Sequence, residues 1–227
     1  MKKFILSIAI FLLFFFESFS HVDHYAKYNY LEYELFRNNK PIGYHKYDFN
    51  REGEKLSIIS EVSFKINKLG VDLYNYYAKS EENYEKGVFK SYSSKTKQNK
   101  KDRFVNIALD SDNEHLVIDG SSYKGKANKN FIVGTWWNHE IIKAKAQISG
   151  ISGRIIEQTV TFIGKEDIKI GDKTFKTLHF NFKSSDKTLP ESKKLDTDIW
   201  YEEDTFLWVK AAFDKTGHWE YRIKSVN

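Results

Sequence analysis

Residues Trp136-Trp137-Asn138-His139 place two indoles, an amide and an imidazole at consecutive positions. A small-molecule site needs that mixture, apolar walls with a few polar handles that fix orientation. Two adjacent indoles on irregular backbone are not expected to face one core. The alternative is burial: one indole plugs the open end of a β structure while Asn138 bonds backbone. A second aromatic group follows near the end of the chain, with Trp200, Tyr201, Trp208, Trp219 and Tyr221. These residues can line a groove for a lipid chain or a sugar, or they can be cross-strand pairs worth roughly 0.2–1 kcal/mol each. Tyr74, Tyr76 and Tyr77 carry the same ambiguity, with strand core as the default. The candidate ligand-binding set is therefore Trp136, Trp137, Asn138, His139, Trp200 and Trp208.

Other chemistries lack their residues. Seven histidines stand at positions 21, 24, 45, 115, 139, 179 and 218, and none has the paired spacing that puts metal ligands on one helix face. The dense cluster His21-Val22-Asp23-His24 reads as a frayed terminus, with copper chelation its remote alternative. No Gly-x-Ser-x-Gly elbow, phosphate-binding glycine loop or cysteine nucleophile occurs. Glu202-Glu203-Asp204 falls in a turn, where carboxylates are solvated. No catalytic residue, metal or cofactor is expected, and a hydrolase assembled from distant strands ranks last among the readings.

The elements that must position these residues begin after a leader. Met1-Lys2-Lys3 is basic, residues 4–16 are apolar, and Ser18 and Ser20 supply small residues for a peptidase. Residues 1–20 are read as a cleavable signal peptide. The apolar run is too short for a permanent anchor, which needs about 20 residues, so no transmembrane segment is expected after cleavage. Removing twenty of 227 residues leaves 207, read as a single β domain over 21–227 that works in the periplasm or outside the cell. The absence of cysteine excludes both a disulfide scaffold and a lipidated cysteine. The formal charge of +5 falls to +4 with the leader gone, and nucleic acid is not an expected partner of an exported chain. Lys95, Lys97, Lys100, Lys101 and Arg103 form one basic cluster, read as a solvated hairpin tip.

Two prolines and 16% aromatic residues favour strands. Leu31, Tyr33 and Leu35 alternate with Glu32 and Glu34; Asn38-Asn39-Lys40-Pro41 and Arg51-Glu52-Gly53 turn the chain. Leu56, Ile58, Val62 and Phe64 share one face, interrupted by Ser60. Strands continue at sandwich or barrel spacing to Lys126, and return over 154–163, 167–170, 174–183, 195–201, 207–213 and 218–223. Between these halves, residues 131–142 are apolar without alternation and predict a short helical segment near 135–145, capped by Thr135. The fold expected is all-β, a large curved antiparallel sheet or barrel-like meander.

The segments Tyr33–Gly43, Thr135-Trp136-Trp137-Asn138, Asp198-Ile199-Trp200-Tyr201, Leu207-Trp208-Val209 and Glu220-Tyr221-Arg222, taken in order, resemble an uncharacterised family of exported Gram-negative bacterial proteins classed as a domain of unknown function. The resemblance covers nearly the whole processed chain and implies a periplasmic β protein. It carries over no activity and no catalytic residues. Two roles follow: a non-enzymatic module holding a hydrophobic, lipid-like ligand, or an interaction protein that docks an envelope protein through a sheet edge.

Overall fold

The computed structural model describes residues 23–227, so the leader and His21 lie outside it. Its fifteen strands are β1 (Tyr30–Arg37), β2 (Lys40–Glu52), β3 (Lys55–Lys68), β4 (Val71–Glu85), β5 (Val88–Gln98), β6 (Lys101–Leu109), β7 (His115–Gly120), β8 (Lys124–Asn128), β9 (Ile132–Val133), β10 (Ala146–Ile148), β11 (Ile155–Ile170), β12 (Lys173–Ser184), β13 (Asp196–Glu202), β14 (Trp208–Asp214) and β15 (His218–Val226). They make one sheet, ordered β8-β7-β6-β5-β4-β3-β2-β1-β15-β14-β13-β12-β11-β10-β9. Two meanders thus run outward from the β1–β15 pair at the centre.

Local sequence explains the hairpins. The β1–β2 turn holds Asn38 and Asn39 at φ 49° and 61°, the left-handed pair that a two-residue hairpin requires and asparagine tolerates. Along β1, Leu31, Tyr33 and Leu35 are fully buried while the glutamates between them reach water. Ser60, which seemed to spoil the apolar face of β3, does point inward, and its hydroxyl lies 2.8 Å from His45 Nε2.

The sheet curls but stays open, because β8 and β9 do not pair. A loop bridges the seam instead. Ser122 N donates to the Ser152 carbonyl at 2.9 Å, and the Tyr92 hydroxyl to that of Gly150 at 3.0 Å. Gly120 must be glycine here, since a Cβ would sit 2.5 Å from the Ser152 carbonyl oxygen.

Several expectations need correction. One strand, β11, replaces the two expected over 154–163 and 167–170; the chain absorbs Ile163 as a bulge between Phe162 and Gly164 without leaving the ladder. The pair β9–β10 is parallel, an exception to an otherwise antiparallel sheet. The short helical segment expected near 135–145 is present as one 3-10 turn, His139–Ile142, and only its cap differs, Asn138 in place of Thr135: the Asn138 side chain accepts from Glu140 N at 3.1 Å. Nor is the start frayed from residue 23 onward. Asp23–Tyr25 forms a 3-10 turn that buries Tyr25 completely, and its hydroxyl accepts from Trp208 N at 2.8 Å. Among the described residues, no helix is long and apolar enough to cross a membrane.

Candidate functional site

After edge strand β9, residues 134–145 leave the sheet and enter the curl as a plug. Three tyrosines or glutamines from separate strands hold its carbonyls: the Tyr47 hydroxyl donates to Thr135 O at 2.6 Å, the Tyr201 hydroxyl to Trp136 O at 2.9 Å, and Gln158 Nε2 to Ile141 O at 3.0 Å. Trp136 sits at φ 60°, a left-handed conformation costly for a bulky residue. That twist swings the two indoles apart, yet both pack on the same aromatic cluster, so the expectation that they cannot share one core is wrong.

Trp137 is fully buried against Tyr25, Phe49 and Tyr84. Its Nε1 donates to Glu82 Oε2 at 3.0 Å, the Tyr84 hydroxyl donates to Glu82 Oε1 at 2.5 Å, and the Thr135 hydroxyl donates to Oε2 at 3.4 Å. Glu82 is only 2% exposed. Burial raises its pKa, opposed by the three donors, which favour the carboxylate. Asn138 Nδ2 completes the group, donating to the Tyr84 hydroxyl at 3.3 Å.

Beside this group lies a cleft of about 340 Å³, walled by Phe89, Leu116, Phe131, Ile132 and Val133, floored by Glu82, Tyr84 and Asn138, and rimmed by Lys129, Glu140 and Lys143. Its size falls at the lower end of the 300–1,000 Å³ range of small-molecule sites. A larger hollow of about 660 Å³ at the same end of the sheet is lined mainly by exposed polar and charged residues such as Arg51, Glu52, Lys55 and Lys90. Its apolar wall is only Leu56 and Tyr84, so the smaller cleft has the better chemistry.

The other candidate residues divide. Trp136 and Trp208 meet inside the curl, 5.4 Å between rings, with Tyr221 against both. Both indole nitrogens are buried without a hydrogen-bond partner, as is His45 Nδ1 beside them. Burial lowers the His45 pKa to about 3, which keeps its ring neutral. His139 faces His24, Nδ1 to Nε2 2.9 Å, and stacks on Phe206. Trp200 lies on the outer face, between inward Ile199 and Tyr201: its Nε1 donates to Glu166 Oε1 at 2.7 Å and its ring stacks on His179. The structure brings Trp136, Trp137 and Trp208 together and leaves Trp200 apart.

Glu82, Tyr84 and the wall residues Phe89, Leu116 and Phe131 were not among the candidates. One signal was available for Glu82. It stands on the same side of β4 as Tyr76, Ala78, Ser80 and Tyr84, an acid in an inward row.

An open sheet plugged by its own connecting segment defines a barrel-like β protein. The chain belongs to the family described as Domain of unknown function (DUF6134), whose model matches residues 33–224. Its fold is similar to the crystal structure of a beta-barrel-like protein of domain of unknown function DUF1849 from Brucella abortus, with a TM-score of 0.59, 11% identity, and coverage of 87% of this chain and 96% of that one. A DUF1329 family protein from Desulfovibrio piger aligns over 91% of both chains at 10% identity, with a TM-score of only 0.25. No curated protein matches the chain.

Proposed function

We propose that the protein is an exported, non-enzymatic binding module of the bacterial envelope that holds a single-chain amphiphile in the cleft beside the plug. The observation that carries this reading is the lining: five apolar side chains above a buried Glu82–Tyr84–Asn138 floor, with Lys129 and Lys143 at the mouth. An acyl chain would cover the walls, and the lysines would meet an acidic head group. The volume suits a single acyl chain. The leader-like residues 1–20 support export to the periplasm.

The test is a titration of the processed chain with a fluorescent fatty acid. Saturable binding is expected, weakened about tenfold by Phe131→Arg, which puts a cation into the apolar wall. Equal binding by both proteins would remove the cleft from the account.

The open edge at β8 supports the alternative, docking of an envelope protein by strand addition. Lys124 and Lys126 on that short strand work against it, because edge lysines discourage pairing.

A further inference from the structure

The β3–β4 hairpin projects beyond its neighbours. Phe64 is the last of its residues paired with β2 and Tyr76 the last paired with β5; Ile66 and Tyr74 still pack on Phe64 and its neighbours, and residues 67–73 stand clear as a two-stranded ribbon. The β5–β6 turn ends level with Asn75, whose N donates to Asn99 Oδ1 at 2.7 Å. From Asn75 to Gly70 is five residues, about 16 Å of ribbon at ~3.3 Å per residue.

The tip of this ribbon is apolar. Leu69 is 96% exposed, Val71 61% and Leu73 54%. Leu69 also occupies the left-handed position of the turn, at φ 53°. Asparagine fills the corresponding left-handed position in the β1–β2 and β5–β6 turns, through Asn38 and Asn99. A branched apolar residue there is costly twice over, in backbone strain and in exposed surface. A residue that harms both folding and solubility points to a use outside the folded chain.

Charge says which use. Lys65 stands at the base of the ribbon and Lys68 beside its tip, opposite Val71, and the adjoining β5–β6 turn carries Lys97, Lys100 and Lys101, against Asp72 and Asp102. Asp72 is engaged with Lys65 at 3.9 Å and with Asn67. At the far end of the sheet the charges are mixed: the turns after β6 and β13 carry Asp110, Asp112 and Glu114 and Glu202, Glu203 and Asp204, while Arg51, Lys55, Lys86, Lys169 and Lys173 stand beside the other turns there. An apolar point beside a cluster of lysines matches an anionic lipid bilayer met tip first. We infer that the β3–β4 hairpin is a membrane anchor that inserts Leu69, Val71 and Leu73 among acyl chains while these lysines meet acidic head groups. The cleft opens toward the opposite end of β4, past Gly87 and Phe89, so the anchor and the cleft are separate surfaces.

Leu69→Asn separates this role from folding, because asparagine suits the turn and keeps the hairpin. The experiment is co-sedimentation of the processed chain, its N-terminus verified by mass, with vesicles of equimolar phosphatidylglycerol and phosphatidylcholine, and with pure phosphatidylcholine. Binding is expected to the anionic vesicles only, to fall as salt rises, and to drop about tenfold in both Leu69→Asn and the Lys100→Glu, Lys101→Glu double variant. Absence of binding, equal binding to both vesicles, or wild-type binding by Leu69→Asn would overturn the inference. Dimerisation that Leu69→Asn abolishes, without vesicle binding, would overturn it in favour of a second copy of the chain.

Discussion

Trp136 and Leu69 share a backbone conformation and nothing else. Both are bulky residues in the left-handed region, at φ 60° and 53°. Around Trp136 the strain is offset: the Tyr47 and Tyr201 hydroxyls fasten the flanking carbonyls, and the indole packs on Trp208 and Tyr221. Around Leu69 no comparable packing offsets it, since the side chain is almost wholly exposed. The same irregularity therefore serves the interior in one place and the exterior in the other. Strain at the plug is held by tertiary contacts, whereas strain at the tip is a standing cost that only an external partner would relieve.

Substitutions at four positions probe that contrast, the largest effect first. Trp137→Ala should destabilise by about 3–5 kcal/mol, leaving a cavity and taking a donor from Glu82. Urea unfolding measures it, and a loss under about 1 kcal/mol would mean that the plug is an ornament on a self-sufficient sheet. Glu82→Leu should cost about 2–3 kcal/mol, because the Tyr84 hydroxyl, Trp137 Nε1 and Thr135 hydroxyl all lose their acceptor. Glu82→Gln should cost less. Since burial raises the Glu82 pKa in the folded state, its proton favours folding, and the wild type should lose stability relative to Glu82→Gln as pH rises past 4.5 toward the folded value.

His45 provides the opposite slope. Its folded pKa of about 3 lies below the ordinary 6.5, so the folded state binds fewer protons and stability falls as pH drops from 6.5 toward 3. Allowing for the ring's residual exposure, the loss is about 2 kcal/mol, and His45→Gln should flatten that part of the profile in thermal melts. At the tip the sign reverses. Leu69→Asn should raise stability by about 0.5–1 kcal/mol by relieving the turn. A destabilised Leu69→Asn would show that Leu69 has packing that the contrast denies it.

Much of the fold was legible because the strands obey a period of two and their turns carry the expected residues. Asn38-Asn39 and the alternation of Leu31, Tyr33 and Leu35 are local signals, and the structure follows them. The pairing of β1 with β15 is not local: it joins residues almost two hundred positions apart, such as Leu35 and Tyr221. The candidate site was half legible. Trp136 and Trp137 stood out by type, but their directions depend on one positive φ angle. Trp200 looked equivalent to Trp208, yet a bulge at Val209 of β14 turns Trp208 inward opposite Tyr201, while Trp200, opposite Lys210, keeps the outer face. Glu82 escaped notice because an acid in a strand is ordinarily a solvated residue; its place in the inward row of β4 was the one local sign, and its three donors, from β4 and the plug, give it a role.

Native mass spectrometry of the processed chain, purified from an envelope fraction and incubated with excess oleate, tests the central claim most directly. The account predicts a chain beginning at His21 that carries one amphiphile, released by organic solvent and missing from Phe131→Arg. The bare polypeptide mass under the same conditions, or an identical adduct on Phe131→Arg, would contradict it.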